Sequence, residues 1–300
     1  MPIVNRIAEF EPELIEWRHH LHSFPELGFE EYKTSDFVAE KLSQIGLEVN
    51  RGLAGTGVVA TLTAGSGNGP KIGLRADMDA LPIMERSKSD HASKNPGVMH
   101  ACGHDGHTTM LLGAARYLSE AKSFNGTIHF IFQPAEEGGA GAKAMMDDGL
   151  FEKFSCDAIY GLHNMPGIEA GHIGLRAGPI MAARDEFKII FRGKGGHGAM
   201  PHKGTDATIV AAHFITAVQT IVSRETNPLE AGVVSVGHIA GGDPGSLNII
   251  PAEVRVGGRT RSFKAEVRDR LEQRLEEIAY ATAATFNCEA DVAYQRGYPP

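Results

Sequence analysis

The sequence predicts an α/β fold with a largely parallel sheet flanked by helices and, inserted after it, a smaller α+β module. Up to about residue 180, short apolar runs rich in β-branched residues alternate with helical patterns, an order typical of a sheet covered on both faces. Beyond that point the order becomes βαββαβ, which is the ferredoxin-like motif. A chain of 300 residues is also at the size where two domains become common.

Two amphipathic helices open the chain. Residues 10–22 carry apolar side chains at spacings of three and four, which is a helical stripe. Residues 34–45 repeat this pattern, and Gly46 is a suitable helix end. After these helices, the sequence predicts strands at 58–63, 71–75, 127–132 and 157–162, and helices at 107–121 and 140–148.

The second module is predicted from a change of pattern near Gly178. Its expected strands are 184–192, 232–239, 251–263 and 289–294, and its expected helices are 206–223 and 264–286. We therefore expect a catalytic domain at 1–180 that continues at 294–300, and a lid or dimerisation domain at 181–293. Because so few residues follow the second module, we expect the C-terminal part of the catalytic domain to be missing.

Composition and charge favour a soluble enzyme that acts on small molecules. The net charge of −8, without a cluster of Lys and Arg, argues against a nucleic-acid partner. Three widely spaced cysteines make a disulfide framework improbable and favour a reducing compartment. We find neither a secretory signal nor an apolar stretch near the roughly 20 residues of a membrane helix. The prediction is a cytoplasmic protein without a membrane partner.

Three blocks of metal-ligand side chains follow one another along the chain, at residues 100–107, 133–137 and 160–164. The first and third contain Cys102, His104 and His163, and the second contains a pair of glutamates. Ligands of a parallel sheet bind beyond the carboxyl ends of its strands, which is where these blocks lie. Since a divalent ion such as zinc accepts thiolate, imidazole and carboxylate together, the blocks predict one metal site.

Glu136 and Glu137 are expected to divide two tasks. Consecutive side chains of an extended segment point to opposite sides, so one carboxylate can bind the ion while the other takes a proton from water. The spacing leaves open which residue does which. Asp77, Asp79 and Asp105 are suited to orient ligating imidazoles through hydrogen bonds.

The second module offers polar groups for an anionic substrate. The Gly-rich loop at 193–202 contains His197, and Asn248 and Arg261 follow in a second turn and near a strand end. Arginine and asparagine suit a carboxylate, and histidine can donate a hydrogen bond to a developing oxyanion.

Two other interpretations compete with a metal hydrolase. Cys102 could be a nucleophile activated by His104 or His107, as in thiol hydrolases, although the paired glutamates have no task in that chemistry. The chain could also be a truncated form that binds metal or ligand without turnover.

These residues closely resemble the metal-dependent aminoacylase and carboxypeptidase family, in the amidohydrolase branch that includes hippurate hydrolases, N-acetyl-amino-acid deacetylases and auxin-conjugate hydrolases. The resemblance rests on Arg-Ala-Asp-Met-Asp-Ala-Leu-Pro from Arg75, His-Ala-Cys-Gly-His-Asp-Gly-His from His100, Gln-Pro-Ala-Glu-Glu-Gly-Gly from Gln133, and Gly-Gly-His-Gly-Ala-Met-Pro-His from Gly195. It runs over essentially the whole chain, and it implies a zinc-exopeptidase-like catalytic domain.

The resemblance also implies roles for individual residues. Cys102 would bridge two divalent ions of Zn, Mn, Co or Ni, with His104, Glu137 and His163 as terminal ligands and Glu136 as general base. His197 would reach the active site of the partner in a homodimer formed through the lid, and the substrate would be held by Asn248 and Arg261. A further histidine ligand of the family has no counterpart before Pro300.

The sequence therefore predicts metal-dependent hydrolysis of N-acyl amino acids of the hippurate or N-acetyl type. A dipeptidase of the same family and an inactive truncated form are the alternatives.

Overall fold

The computed structural model describes residues 5–300 as two compact units. Unit 1 ends at His172, and unit 2 comprises Ile173–Pro300. This boundary lies before the expected one at 180. Residues 294–300, which we expected in the catalytic domain, belong to unit 2, where the Gly297 N–H donates to Asp185 Oδ1 at 2.9 Å.

Unit 1 is built around a mixed five-stranded sheet. Its elements are α1 (Asn5–Ser23), α2 (Tyr32–Gln44), β1 (Glu48–Leu53), β2 (Gly57–Ala64), β3 (Lys71–Asp77), α3 (His104–Ala121), β4 (Gly126–Gln133), α4 (Gly141–Asp147), α5 (Leu150–Lys153) and β5 (Ala158–Gly161). The strand order is β1-β2-β4-β3-β5, and β3 runs parallel to β4 and β5. The pairs β1·β2 and β2·β4 are antiparallel.

The α/β class is confirmed, but the prediction of a largely parallel sheet is corrected to a mixed one. The reason is β2, which runs antiparallel to β4. A further antiparallel strand, β1, was missed from the sequence and pairs with β2. Only one of its six residues is buried, so it lacks the apolar alternation by which a strand is recognised.

Helices cover both faces of this sheet. On one face Leu42 and Leu112 belong to the same core as Phe130, and on the other Met145 and Leu150 belong to the same core as Ile131. Full burial of such side chains stabilises the fold by about 1.5–3 kcal/mol each. The adjacent residues 130 and 131 of β4 thus point to opposite cores, as the pleat of a strand requires.

Unit 2 is a four-stranded antiparallel sheet with two principal helices. Its elements are β6 (Ala183–Arg192), β7 (Gly196–His197), a 3₁₀ turn (Pro201–Lys203), α6 (Ala207–Ala217), a π-helical turn (Ile221–Glu225), β8 (Gly232–Gly241), β9 (Ile249–Ile250), β10 (Glu253–Ser262), α7 (Ala265–Thr285) and β11 (Glu289–Arg296). The strand order is β11-β6-β10-β8, with β7 and β9 as a separate pair. The principal elements follow one another as βαββαβ.

One helical segment of unit 2 qualifies the expectation about apolar stretches. Ala207–Glu225 has 19 residues and a mean hydropathy of 1.2, which is long and apolar enough for a membrane span by composition alone. Its Val210, Phe214 and Ile221 are fully buried in the core of unit 2. One face of the segment thus packs in the core of unit 2, and 33% of its apolar window is buried.

Candidate functional site

The carboxyl ends of three parallel strands meet at one edge of the sheet of unit 1. Strand β3 ends at Asp77, β4 at Gln133 and β5 at Gly161, in the spatial order β4-β3-β5. Neighbouring parallel strands end at the same edge, which is where α/β sheets bind ligands. The three blocks singled out in the sequence follow these strand ends or begin α3, so the fold brings them together.

Cys102 and His163 form the first contact of the site. The Cys102 Sγ lies 3.2 Å from His163 Nε2, and His163 Nδ1 lies 2.6 Å from the carbonyl oxygen of Asn164. A carbonyl can only accept, so Nδ1 carries the proton and donates it. The lone pair of Nε2 therefore points toward the sulfur, as in a histidine held ready for a metal ion.

His104 is fully buried beside the two glutamates. Its Nε2 lies 3.9 Å from Glu137 Oε1 and 4.0 Å from Glu136 Oε2. Both ring nitrogens and Glu137 Oε1 are buried without a hydrogen-bond partner among residues 5–300. Since buried polar atoms are rarely left unsatisfied, His104 Nε2 and Glu137 Oε1, which are 3.9 Å apart, fit a cation between them.

The potential ligand atoms are close enough for shared coordination. Donor atoms of Cys102, His104 and His163 lie within 4.8 Å of one another, as do those of His104, Glu136 and Glu137. The two sets share His104 and combine sulfur, nitrogen and oxygen donors. Such a mixed set suits zinc and neighbouring divalent transition metals.

Asp79 holds both glutamates through their backbone. Its Oδ1 accepts from Glu136 N–H and its Oδ2 from Glu137 N–H, each at 2.9 Å, and Oδ1 lies 3.3 Å from His104 Nδ1. Burial opposes its ionisation, but His104 and the two N–H groups outweigh this and lower the pKa of Asp79. Asp79 thus faces a candidate ligand, as predicted, and also anchors the turn that carries the glutamates.

Asp77 is bonded to His107, which was considered above only as an activator of Cys102. Its Oδ1 lies 2.7 Å from His107 Nδ1, and Arg75 donates to Oδ2 at 2.8 Å. His107 Nε2 accepts from the Asn164 N–H at 3.0 Å. Both nitrogens of His107 are therefore engaged, so this ring holds the His163–Asn164 loop rather than a metal ion. Its position three residues after His104, on the same helix face, was the available signal.

The structure revises the role expected for Asp105. Its Oδ2 lies 2.9 Å from His22 Nδ1 and 3.2 Å from Arg18 Nε, and both partners belong to α1. Burial would raise the pKa of Asp105, but the His22 contact and nearby cationic groups lower it overall. Asp105 therefore fastens the start of α3 to α1, with His22 as its partner, instead of orienting a candidate ligand.

The electrostatics of the site disfavour a thiol nucleophile. Burial, followed by the negative charges of Glu137 and Glu136, raises the pKa of Cys102 to about 12. Activated cysteines instead lie in electropositive surroundings that lower the pKa. Burial and the charge of Glu137 also raise the pKa of Glu136, which suits a carboxylate that accepts a proton during a reaction.

In unit 2, His197 and Asn248 lie near each other. Strand β7 pairs with β9, and the Gly198 N–H donates to the Asn248 carbonyl at 2.7 Å. The Ala199 N–H donates to His197 Nδ1 at 3.1 Å. In the neutral ring the proton is therefore on Nε2, which leaves an exposed N–H donor.

Arg261 lies in β10 of the four-stranded sheet, at the end away from the β7·β9 pair. It pairs with Arg184, whereas Glu253, at the end of β10 next to β9, pairs with Arg192. The eight residue steps from Glu253 to Arg261 span about 27 Å at ~3.4 Å per step. One copy of unit 2 therefore does not bring Arg261 to His197 and Asn248.

Comparison with known proteins gives relatives over nearly the whole chain. It is 46% identical to the N-acetyl-L-cysteine deacetylase of Bacillus subtilis over 98% of this chain and 70% of the relative. It is 43% identical to the hippurate hydrolase of Campylobacter jejuni over 97% of this chain and 75% of the relative.

A solved structure from Bacillus subtilis, described as a dinuclear metal binding peptidase from the M20 family, superposes with a TM-score of 0.82. It is 34% identical and covers 97% of this chain, which spans 75% of that protein.

The family comparison agrees with these relatives. Residues 73–300 match the family described as Peptidase family M20/M25/M40. This range includes the metal-ligand blocks of unit 1 and all of unit 2. The match and the amidohydrolase relatives confirm the predicted enzyme class, a hydrolase. The chain belongs to peptidase family M20/M25/M40.

Proposed function

We propose that this protein hydrolyses the amide bond of N-acyl amino acids at a centre of two divalent metal ions. The observation that carries the proposal is the convergence of Cys102, His104 and His163 with the glutamate pair, with lone pairs left without partners. The names of its relatives, a deacetylase of N-acetyl-L-cysteine and a hippurate hydrolase, support the substrate class. Both names describe an acyl group removed from an amino acid.

In this proposal Cys102, His104, Glu137 and His163 would hold the two ions, Cys102 as the ligand common to both and the other three as ligands of one ion each. The tautomer of His163 and the unpartnered Glu137 Oε1 support these assignments. When bound, divalent ions at such a centre lower the pKa of water and polarise the scissile carbonyl. Zn, Mn, Co and Ni all suit the donor set.

Glu136 is the general base and then the general acid. Its Oε2 lies 4.0 Å from His104 Nε2, and Asp79 fixes its backbone. Glu136 takes a proton from the attacking water and gives it to the leaving nitrogen as the C–N bond breaks. Water and amide thereby become a carboxylic acid and an amino acid.

The substrate carboxylate is held by Asn248 and Arg261, and His197 Nε2–H stabilises the oxyanion. Because Arg261 lies at the end of β10 away from the β7·β9 pair that carries His197, the proposed set of groups requires two copies of the chain. This favours a homodimer formed through unit 2, in which His197 serves the partner. Unit 1 is then the catalytic domain and unit 2 the lid and dimerisation domain.

The three free cysteines are compatible with a reducing compartment, and we propose a cytoplasmic location. We retain N-acyl amino acids over dipeptides because the two relatives above are named for acyl groups.

The test compares hydrolysis of N-benzoylglycine, N-acetyl amino acids and dipeptides by the protein with and without a chelator. The proposal expects turnover of the acyl compounds that stops on metal removal and returns when metal is restored. Full activity after verified metal removal contradicts the metal-dependent mechanism. Faster hydrolysis of dipeptides than of N-acyl amino acids contradicts the proposed substrate class.

A further inference from the structure

We propose that Glu31 is a positioning residue that fixes the backbone beneath Glu136 and Glu137 in the geometry that proton transfer requires. This inference rests on the proposed function, in which Glu136 is the general base. Glu31 is 105 residues away from Glu136 in sequence, and no motif identified above includes it. Its place is evident only from the fold.

Glu31 is a fully buried carboxylate with a backbone amide as partner. Its Oε1 accepts from the Ala135 N–H at 2.8 Å, and its Oε2 accepts from the Thr56 hydroxyl at 2.6 Å. A buried carboxylate is costly unless its oxygens are hydrogen-bonded. Such a group is therefore informative, and here one of its two bonds goes to the residue before the proposed base.

Ala135 has a backbone conformation that needs support. Its φ is +49°, in the left-handed region that residues with a Cβ rarely adopt. The Ala135 N–H bond to Glu31 and the Gly141 N–H bond to the Ala135 carbonyl, at 3.1 Å, hold it from both sides. Without the first bond, the turn loses an interaction that opposes its return to an ordinary conformation.

Glu31 and Asp79 together hold three consecutive amides. Glu31 accepts from residue 135, and the two oxygens of Asp79 accept from Glu136 and Glu137. The directions of both glutamate side chains follow from these three N–H groups. A misplacement of about 1 Å can lower a catalytic rate 100-fold. Loss of the hydrogen bond between Glu31 and the Ala135 N–H is therefore expected to reduce turnover before it reduces substrate binding.

The first test is Glu31→Ala, assayed on N-acyl amino acids at saturating metal with the bound metal counted. We expect kcat to fall by about 10- to 100-fold with KM unchanged. Glu31→Gln is the conservative variant, since its amide oxygen can accept from Ala135 and its NH2 can donate to Thr56. It is expected to keep kcat close to the wild-type value.

Thr56→Val is the matched control. It removes the other partner of Glu31, in an equally buried place, and leaves the bond to Ala135. A merely structural role predicts that Thr56→Val and Glu31→Ala lower stability without changing kcat. The positioning role predicts that only Glu31→Ala lowers kcat.

A rescue experiment addresses the backbone directly. Glycine adopts positive φ without strain, so Ala135→Gly is expected to restore part of the kcat lost in Glu31→Ala. If Glu31→Ala does not fold, Glu31→Asp replaces it, because its shorter side chain cannot keep both bonds. The same loss and the same partial rescue are expected.

Wild-type kcat in the folded Glu31→Ala or Glu31→Asp variant overturns the inference, as does an absence of rescue by Ala135→Gly. These outcomes differ from failure of the proposed function, which would be a wild-type protein inactive on every N-acyl amino acid tested.

Discussion

Asp79→Asn is the substitution whose effect follows most directly from the structure. In the native site both carboxylate oxygens of Asp79 accept backbone N–H groups, at 2.9 Å each, and the carboxylate faces His104. Asparagine has nearly the same shape but only one acceptor oxygen. Its NH2 group must then face either the Glu136 or the Glu137 N–H.

The magnitude can be worked from these contacts. One buried N–H donor is left without an acceptor, which costs about 1–3 kcal/mol. The charge that faces His104 Nδ1 is also lost, and removal of such a partner weakens metal affinity by about 10- to 100-fold. We therefore expect Asp79→Asn to be less stable by about 1–3 kcal/mol and to bind divalent metal more weakly.

The assay is competition for Zn²⁺ against a chromophoric chelator, with urea unfolding of the metal-free protein alongside. Asp147→Asn is the matched control, because it makes the same chemical change at an exposed ion pair with Lys143. Such surface pairs contribute about 0–1 kcal/mol. If Asp79→Asn has the same metal affinity and the same free energy of unfolding as Asp147→Asn, Asp79 does not support the site in this way.

Three further predictions concern other parts of the molecule. Glu136→Gln should lower kcat by about 10²–10⁴-fold while the protein retains its metal. Elemental analysis and turnover assays check both parts, and a loss of metal would instead indicate that Glu136 is a ligand. His107→Phe removes the bonds to Asp77 and Asn164 and should weaken metal affinity by about 10-fold or more in the same chelator competition; unchanged affinity contradicts its positioning of His163. In unit 2, burial opposes the charge of Asp185, but hydrogen bonds from Arg268, Gly297 and Tyr294 outweigh burial and lower the pKa of Asp185. The ionised Asp185 therefore stabilises the fold fully above the ordinary carboxyl pKa of about 3.9. This stabilisation is lost as the pH falls below that value and Asp185 becomes protonated. The difference in unfolding free energy between wild type and Asp185→Asn should therefore shrink on acidification, and a constant difference rules the linkage out.

Local patterns in the sequence were enough to predict the α/β class. Because the carboxyl ends of parallel strands meet at one edge of a sheet, the sequence also predicted that the three ligand blocks lie together. Strand β1 was missed because its mostly exposed residues carry no alternation. The sheet is mixed because β2 runs antiparallel to both β1 and β4. Asp105 was assigned to the metal site because it follows His104. Its actual partner, His22, is 83 residues away.

The same limit applies to the groups that support the site. His107 and Glu31 act through backbone amides of Asn164 and Ala135, and a backbone N–H has no sequence signature. The opposed positions of Arg261 and His197 in unit 2 also depend on strand register, which spacing along the chain does not reveal.

The central claim is that Cys102 is a ligand of divalent metal, and X-ray absorption at the metal edge tests it directly. If Cys102 is a ligand, the zinc-loaded protein shows a sulfur scatterer at about 2.3 Å from the metal. This sulfur signal disappears in Cys102→Ser. Cys156→Ser and Cys288→Ser, which change the other free cysteines, should leave it in place. Zinc bound by nitrogen and oxygen alone in the wild-type protein would contradict the account.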